Sequence, residues 1–170
     1  MNQNVFDDPR ITAVGLLVEA HTGLSTRFAA QLDEHGLSPV EFEVLTRLAR
    51  SPGNQLRMTD LAAQTSLSTS GVTRAVDRME RDGLVTRRAC PADRRSSYAV
   101  VTAAGLQRLD EVLPGHLRII EEWFTGQLEP EALRALLDGL RRVRDAVNPG
   151  ATAGSAGPLP IEDASPARRS

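Results

Sequence analysis

Apolar residues in the first part of the chain recur at steps of three and four, the spacing of one face of an α-helix. This stripe predicts a long amphipathic helix over residues 10–35, ended by Gly36. His21 lies on the same stripe, where a polar side chain needs a partner. The apolar members are Ile11, Val14, Val18, Leu24, Phe28 and Leu32.

A second helix is predicted to start at Ser38, because the segment SPVE at 38–41 combines a capping box with proline at the first helical position. The sequence SPGN at 51–54 then breaks the chain. We expect Thr59 to cap a short helix that ends at Gln64, followed by a turn into another helix. This order predicts a helix-turn-helix.

The second helix of that motif has the clearest pattern. Ser68 is a candidate N-cap, and Gly83 supplies the left-handed residue that ends a helix. One face is apolar, with Val72, Ala75, Val76 and Met79. The other face is polar, with Thr69, Ser70, Thr73, Arg74, Asp77, Arg78 and Arg81.

Two β-prone runs follow, at 84–88 and 97–102, and a basic segment at 89–96 separates them. We expect that segment to be a loop, since it is too long for a minimal hairpin turn. A helix followed by such a hairpin is the order of a winged helix. A helix fits the DNA major groove, and an arginine-bearing loop suits a neighbouring narrow groove. The pattern therefore indicates a DNA-binding protein.

Two more amphipathic helices are predicted after the wing. Thr102 is expected to cap the first, and Pro114-Gly115 should kink it or split it in two. Glu129-Pro130 starts the last helix. The apolar stripes of the flanking helices exceed what a small winged helix can cover. A second copy would cover them, and a two-fold dimer reads a palindromic site.

The predicted fold class is mainly α with a small β-wing. The winged helix spans about 38–102, and dimerisation helices span about 10–35 and 103–147, so that 1–147 form one domain. Residues 148–170 are rich in Pro, Gly, Ala and Ser without apolar periodicity, and we expect a disordered tail.

Charge is unevenly distributed along the chain. The net charge is -2, yet residues 57–102 contain eight arginines and five acidic residues, which gives +3 there and -5 elsewhere. A locally basic face on an acidic body is compatible with phosphate binding. The single cysteine cannot form an internal disulfide, and no secretory segment or long apolar run is evident. These features favour a cytoplasmic protein.

The central part of the chain resembles the MarR family of bacterial transcription regulators, over roughly residues 10–147. The resemblance implies a homodimeric repressor that a small ligand releases from DNA. One departure is Cys90, at a wing position where the family more often has an acidic or polar residue. The motifs that carry the resemblance are STSGVTR at 68–74, DRME at 77–80, DGLV at 82–85, PADRRS at 91–96 and TAAG at 102–105.

Candidate DNA contacts follow from the pattern and the resemblance together. Arg95, oriented by Asp93 and supported by Arg94, is predicted to enter the minor groove. Arg87 and Arg88 are predicted to meet phosphates along the wing strand, and Thr59 and Gln64 to touch phosphate from the shorter helix. Arg78, on the same face of the helix, is a further predicted DNA contact. The residues predicted to face bases and phosphates in the major groove are Ser68, Thr69, Ser70, Thr73 and Arg74.

Candidate effector residues are His21, Arg27 and Phe28, since the resemblance implies a pocket between the dimer helices and the winged helix. The simpler explanation of His21 is a core or dimer-interface histidine, and that of Trp123 is an interface or core residue. Cys90 offers an alternative, because nearby arginines favour a reactive thiolate and hence redox sensing. A constitutive DNA binder without an effector is a further alternative.

The sequence contains no motif for catalysis or metal binding that is as specific as the winged-helix pattern. HExxH and CxxC spacings, a Ser/His/Asp arrangement and a glycine-rich phosphate loop are not recognisable in the sequence. His21 and His35 lie fourteen residues apart on one predicted helix, which is roughly 21 Å of rise, too far to share a metal. We therefore expect no enzyme activity, no metal and no cofactor.

Overall fold

The computed structural model describes residues 7–65, 67–90 and 93–151. It is mainly helical with one small sheet, as the sequence predicts. In chain order the elements are α1 (Pro9–Glu34), α2 (Pro39–Ala49), β1 (Gln55–Arg57), α3 (Met58–Gln64), α4 (Thr69–Arg81), β2 (Val85–Cys90), β3 (Asp93–Val101), α5 (Ala103–Trp123) and α6 (Pro130–Val147).

The sheet is antiparallel with the order β1-β3-β2. Strand β1 was not predicted, because its three residues are paired only with β3, far along the chain.

The loop predicted at 89–96 is shorter in the structure. Strand β2 runs to Cys90 and β3 starts at Asp93, and these two residues are paired beside an irregularity in register at Ala89 and Cys90. The hairpin is therefore longer and its loop shorter than the composition suggested.

Helix caps largely follow the prediction. Ser38 and Glu41 form the capping box that starts α2, and the hydroxyl groups of Ser68 and Thr102 accept hydrogen bonds at the starts of α4 and α5. Thr59 is not a cap. Helix α3 already begins at Met58, directly after β1, so Thr59 lies inside the first turn and its hydroxyl faces the Asp60 carboxylate.

Helix α5 is continuous through Pro114, so the predicted split does not occur. Proline removes one backbone hydrogen bond from a helix. Helix α1 packs closely beside this point, where the Gln31 side-chain amide donates to the carbonyl oxygen of Val112 at 3.2 Å. The same side chain lies within 3.0 Å of the place that a Cβ atom on Gly115 would occupy.

The main core lies inside the winged helix and extends to α1 and α5. Gly105 allows α5 to approach the wing, because a Cβ atom there would lie 2.2 Å from the Leu84 carbonyl oxygen and 2.6 Å from Val101 Cγ2. The predicted inward face of α4 is confirmed as buried. Fully buried side chains from six elements are Leu32, Val44, Leu45, Leu48, Leu61, Val72, Val76, Met79, Val85 and Val112.

Large apolar side chains outside this core lie on the three long flanking helices. Within the described residues, no helix is long and apolar enough to cross a membrane. The most exposed apolar side chains are Ile11, Val14, Leu16, Leu17 and Val18 on α1, Leu117 and Trp123 on α5, and Leu136, Val143 and Val147 on α6.

Candidate nucleic-acid interface

The outer face of α4 is polar and exposed, and its first turn is held by its own hydroxyl groups. Ser68 Oγ accepts from the Gly71 backbone N–H at 3.1 Å and lies 3.1 Å from Ser70 Oγ. The Thr73 hydroxyl donates to the Thr69 carbonyl oxygen at 2.9 Å. All of the DNA contacts predicted on this helix are exposed: Ser68, Thr69, Ser70, Thr73, Arg74 and Arg78.

The connection from α4 to β2 is fixed by backbone geometry. Gly83 adopts a φ of 72°, in the left-handed region that favours glycine. The Leu84 N–H then donates to the Met79 carbonyl oxygen at 2.9 Å, and the Thr102 hydroxyl donates to the Gly83 carbonyl oxygen at 2.7 Å. These bonds set where the wing leaves the helix.

The arginines of α4 differ in their surroundings. Arg74 is exposed and forms no ion pair with the described part of the chain. Arg78, by contrast, places Nε 2.6 Å from Glu41 Oε1 at the start of α2. Arg78 is therefore partly committed to an internal contact that the sequence pattern did not indicate.

The pKa of the Glu41 carboxyl reflects this contact. Burial raises the pKa, but hydrogen bonds from the Ser38 backbone, the Arg78 side chain and the Ser38 hydroxyl lower it more, so that the net pKa lies below the usual range. The group is therefore ionised beside Arg78 at neutral pH.

Arg87 and Arg88 lie on opposite faces of β2. Arg87 is paired in register with the buried Ala99 and faces α4, where it contacts Asp77 at 2.6 Å and Glu80 at 2.8 Å. Arg88 is exposed and donates to Gln55 Oε1 at 2.6 Å. Both arginines were predicted to meet phosphate. Arg88 is exposed on the outer face of the sheet, whereas Arg87 faces α4.

The outer face of the sheet carries a row of three side chains, Arg57, Tyr98 and Arg88, that the sequence did not predict. Arg57 and Arg88 are both paired in register with Tyr98, and each guanidinium carbon lies 5.8 Å from the Tyr98 ring centroid. Arg57 Nε also donates to the Tyr98 hydroxyl at 3.3 Å. The hydrogen bond to the Tyr98 hydroxyl raises the pKa of Arg57 above its ordinary value. Without the pairing of β1, the sequence had no signal for this row.

The remaining predicted DNA contacts are placed only in part. Thr59 is exposed on α3 and Gln64 is half-buried at its end. The predicted wing arginines Arg94 and Arg95, and the side chain of Asp93, lie outside the described side chains, so that their roles stay predictions.

The three predicted effector residues make separate contacts. His21 is exposed, with Nε2 3.4 Å from Ser25 Oγ. The Arg27 guanidinium lies 3.9 Å from the centroid of the Trp123 ring, which is itself 46% exposed. Phe28 packs instead against His116, with ring centroids 4.5 Å apart. The structure does not gather these residues into one pocket.

His116 forms a buried polar contact between α1 and α5 that sequence analysis did not single out. Its Nδ1 lies 3.2 Å from Gln31 Oε1. The ring of Phe42, on α2, lies 4.4 Å from the imidazole, measured between ring centroids. Burial lowers the pKa of His116 below its usual range. A polar residue on each of two apolar stripes was the available signal, but only the fold brings them together.

Cys90 ends β2 and is buried, with 3% of its surface exposed. Its Sγ lies 4.0 Å from the Tyr98 hydroxyl. An oxidant needs access to a thiolate, so this burial disfavours direct oxidation. Among the described residues there is also no cluster of three or more His, Cys, Asp or Glu side chains that would hold a metal ion.

Known proteins match both the sequence and the fold. The model of the MarR family matches residues 35–96. The transcriptional regulator MhqR of Bacillus subtilis (strain 168) is 29% identical over 75% of this chain and 86% of its own length. AbsC, a MarR family transcriptional regulator from Streptomyces coelicolor, is 32% identical, with a TM-score of 0.77 over 82% of this chain and 95% of AbsC. Sco3205, from the same organism and solved in complex with DNA, is 32% identical, with a TM-score of 0.76 over 81% of this chain and 87% of Sco3205.

A helix-turn-helix, an adjoining hairpin and long flanking helices define the class: a winged helix-turn-helix transcription regulator. Because identity of 32% extends over 95% of AbsC, the chain belongs to the MarR family of transcriptional regulators.

Proposed function

We propose that this protein binds a specific DNA sequence as a homodimer and regulates transcription there. The observation that carries the proposal is the outer face of α4, whose polar residues are exposed while the opposite face is fully buried. The wing begins directly after this helix. The similarity to Sco3205, which was solved in complex with DNA, supports a DNA-binding function.

The homodimer is supported by apolar side chains that one copy leaves uncovered. Val14 and Leu16 on α1 are 62% and 63% exposed, and Val147 on α6 is 76% exposed. Exposed apolar side chains grouped on long helices are typical of subunit interfaces. Two copies related by a two-fold axis would present two α4 helices, which fits a palindromic site with half-sites about one DNA turn apart.

The proposed regulation is repression that a small molecule relieves. A shallow cavity of about 680 Å³ between α1, α2 and α4 supports a link between ligand and DNA. Asp33, Glu41 and Arg78 are among its lining residues, so a ligand there would directly contact α4, the proposed recognition helix. A ligand changes DNA affinity only through its different affinity for the two conformations.

The proposal is tested with DNA selected by the full-length protein from a pool of randomised duplexes. We expect an enriched palindrome, bound at least about 1,000-fold more tightly than a shuffled duplex at the same salt concentration. Sedimentation should give a dimer, and a promoter containing the palindrome should be less active when the protein is present. Failure to enrich any sequence would refute sequence-specific binding.

Effector response needs a separate measurement. Small aromatic and anionic compounds are screened by thermal shift, and those that stabilise the protein are titrated into the complex with the selected duplex. Release of DNA supports the ligand-responsive repressor. A panel without any stabilising compound would favour a constitutive DNA binder.

A further inference from the structure

Arg87 is surrounded by hydrogen-bond acceptors of α4. Its Nη2 lies 2.6 Å from Asp77 Oδ1 and donates to the Thr73 carbonyl oxygen at 3.4 Å, while Nη1 lies 2.8 Å from Glu80 Oε2. The Arg87 backbone N–H donates to the other oxygen of Glu80 at 2.9 Å. One residue of β2 therefore binds nearly two turns of the recognition helix.

This arrangement leaves Arg87 poorly placed to bind a phosphate. Its side chain is 27% exposed, and both terminal nitrogens already donate to α4. A phosphate would compete with Asp77 and Glu80 for the same guanidinium charge, and a phosphate that displaced either carboxylate would leave it unpaired near DNA. Like charges facing each other are unfavourable, so the exchange offers little gain.

We propose that Arg87 is a positioning residue for DNA binding that does not itself touch DNA. It holds the wing at one angle to α4 and neutralises Asp77 and Glu80. The inference rests on the proposed DNA-binding function and replaces the phosphate contact predicted for Arg87 from sequence.

The two roles have different consequences for specificity. A phosphate contact contributes to every sequence, because the phosphate backbone is the same throughout. A fixed angle between helix and wing matters when both must enter their grooves in register, as they do at a specific site. Loss of positioning therefore lowers the ratio of specific to nonspecific affinity, whereas loss of a phosphate contact leaves that ratio unchanged.

The test measures binding of the full-length protein to the selected duplex and to a shuffled duplex of the same length. Arg87→Ala should weaken binding to the selected duplex about tenfold more than binding to the shuffled one. Arg87→Lys should behave similarly, because an ammonium group cannot span two carboxylates as a guanidinium does. Arg88→Ala, on the opposite face of the same strand, is the control for loss of one charge and should weaken both by the same factor.

A second variant keeps Arg87 and removes its partners. Asp77→Asn combined with Glu80→Gln should also lower the specificity ratio, although it removes two negative charges and strengthens nonspecific binding. If thermal unfolding shows that Arg87→Ala does not fold, this double variant still tests the positioning role of Arg87.

The inference is overturned if Arg87→Lys restores both affinities, or if the Asn/Gln double variant keeps the wild-type specificity ratio. A wild-type protein that does not discriminate between the two duplexes would instead refute the proposed function. The two failures are thus separate.

Discussion

Arg78 Nε lies 2.6 Å from Glu41 Oε1, and this ion pair joins the recognition helix α4 to the first turn of α2. The other oxygen of Glu41 accepts from the Ser38 backbone N–H at 2.9 Å and from the Ser38 hydroxyl at 2.8 Å. One buried carboxylate therefore both caps α2 and holds α4 in place.

Glu41→Gln should lower the free energy of unfolding by about 1–3 kcal/mol, since it leaves partly buried hydrogen-bond donors poorly paired. Glu43→Gln is the matched control on the same helix. Glu43 lies 3.7 Å from Arg47 in a pair one turn apart, which is worth under about 1 kcal/mol. Urea denaturation compares the two variants, and equal losses would contradict the role given to Glu41.

The same pair predicts a pH dependence. The pKa of Glu41 is lowered in the folded protein, so its contribution is present above the unfolded pKa of about 4.3 and is lost as the pH falls through the folded value. The difference in unfolding free energy between wild type and Glu41→Gln should therefore shrink below about pH 4. A difference that stays constant from pH 6 to pH 3.5, by urea denaturation, would show that the ionised form is not responsible.

The close approach of α5 to the wing predicts a strong effect of one methyl group. Gly105→Ala should destabilise the protein by about 1–3 kcal/mol or more, because the Cβ atom would overlap the Leu84 carbonyl oxygen and Val101. Gly139→Ala is the control, since nothing lies within 4 Å of its Cβ position on α6. Helix propensity should make that variant more stable by about 0.5–1 kcal/mol. Thermal unfolding of both variants tests the contrast.

Sequence reasoning was strongest where the pattern was local. Ser68, the apolar face of α4 and Gly83 could all be placed, because capping, helical period and left-handed glycine depend on neighbours in the chain. Strand β1 was missed since three residues carry no period, and their pairing with β3 depends on the folded hairpin. Thr59 was misplaced as a consequence, because the unseen strand ends where α3 begins.

The functional residues show the same limit. Exposure of Arg74 followed from its place on the helix, but the partners of Arg78 and Arg87 come from α2 and α4 through tertiary contacts. Charge and spacing cannot separate an arginine that faces DNA from one that binds a neighbouring carboxylate.

The buried His116 predicts a loss of stability in mild acid. Its pKa is lowered by burial, so its contribution is complete above the unfolded pKa of about 6.5 and falls as the pH drops toward the folded value. The unfolding free energy of the wild type should therefore decrease below about pH 6.5, and that of His116→Phe should decrease less. His21→Gln, at an exposed position, should follow the wild type. Urea denaturation between pH 8 and pH 5 separates these outcomes.

Arg74 is the arginine of α4 best placed to read a base. It lies within two turns of the capped start of the helix, it is exposed, and it forms no ion pair with the described residues. Arg74→Ala should weaken binding to the selected duplex by about 1–3 kcal/mol and relax the preference at one base pair in each half-site. Arg81, near the other end of α4, donates to the Asp77 carbonyl oxygen of its own helix, and Arg81→Ala should leave the preference unchanged. Selection of duplexes from the randomised pool by each variant measures this directly. An unaltered consensus for Arg74→Ala would mean that Arg74 contacts the DNA backbone and that other residues of α4 read the bases.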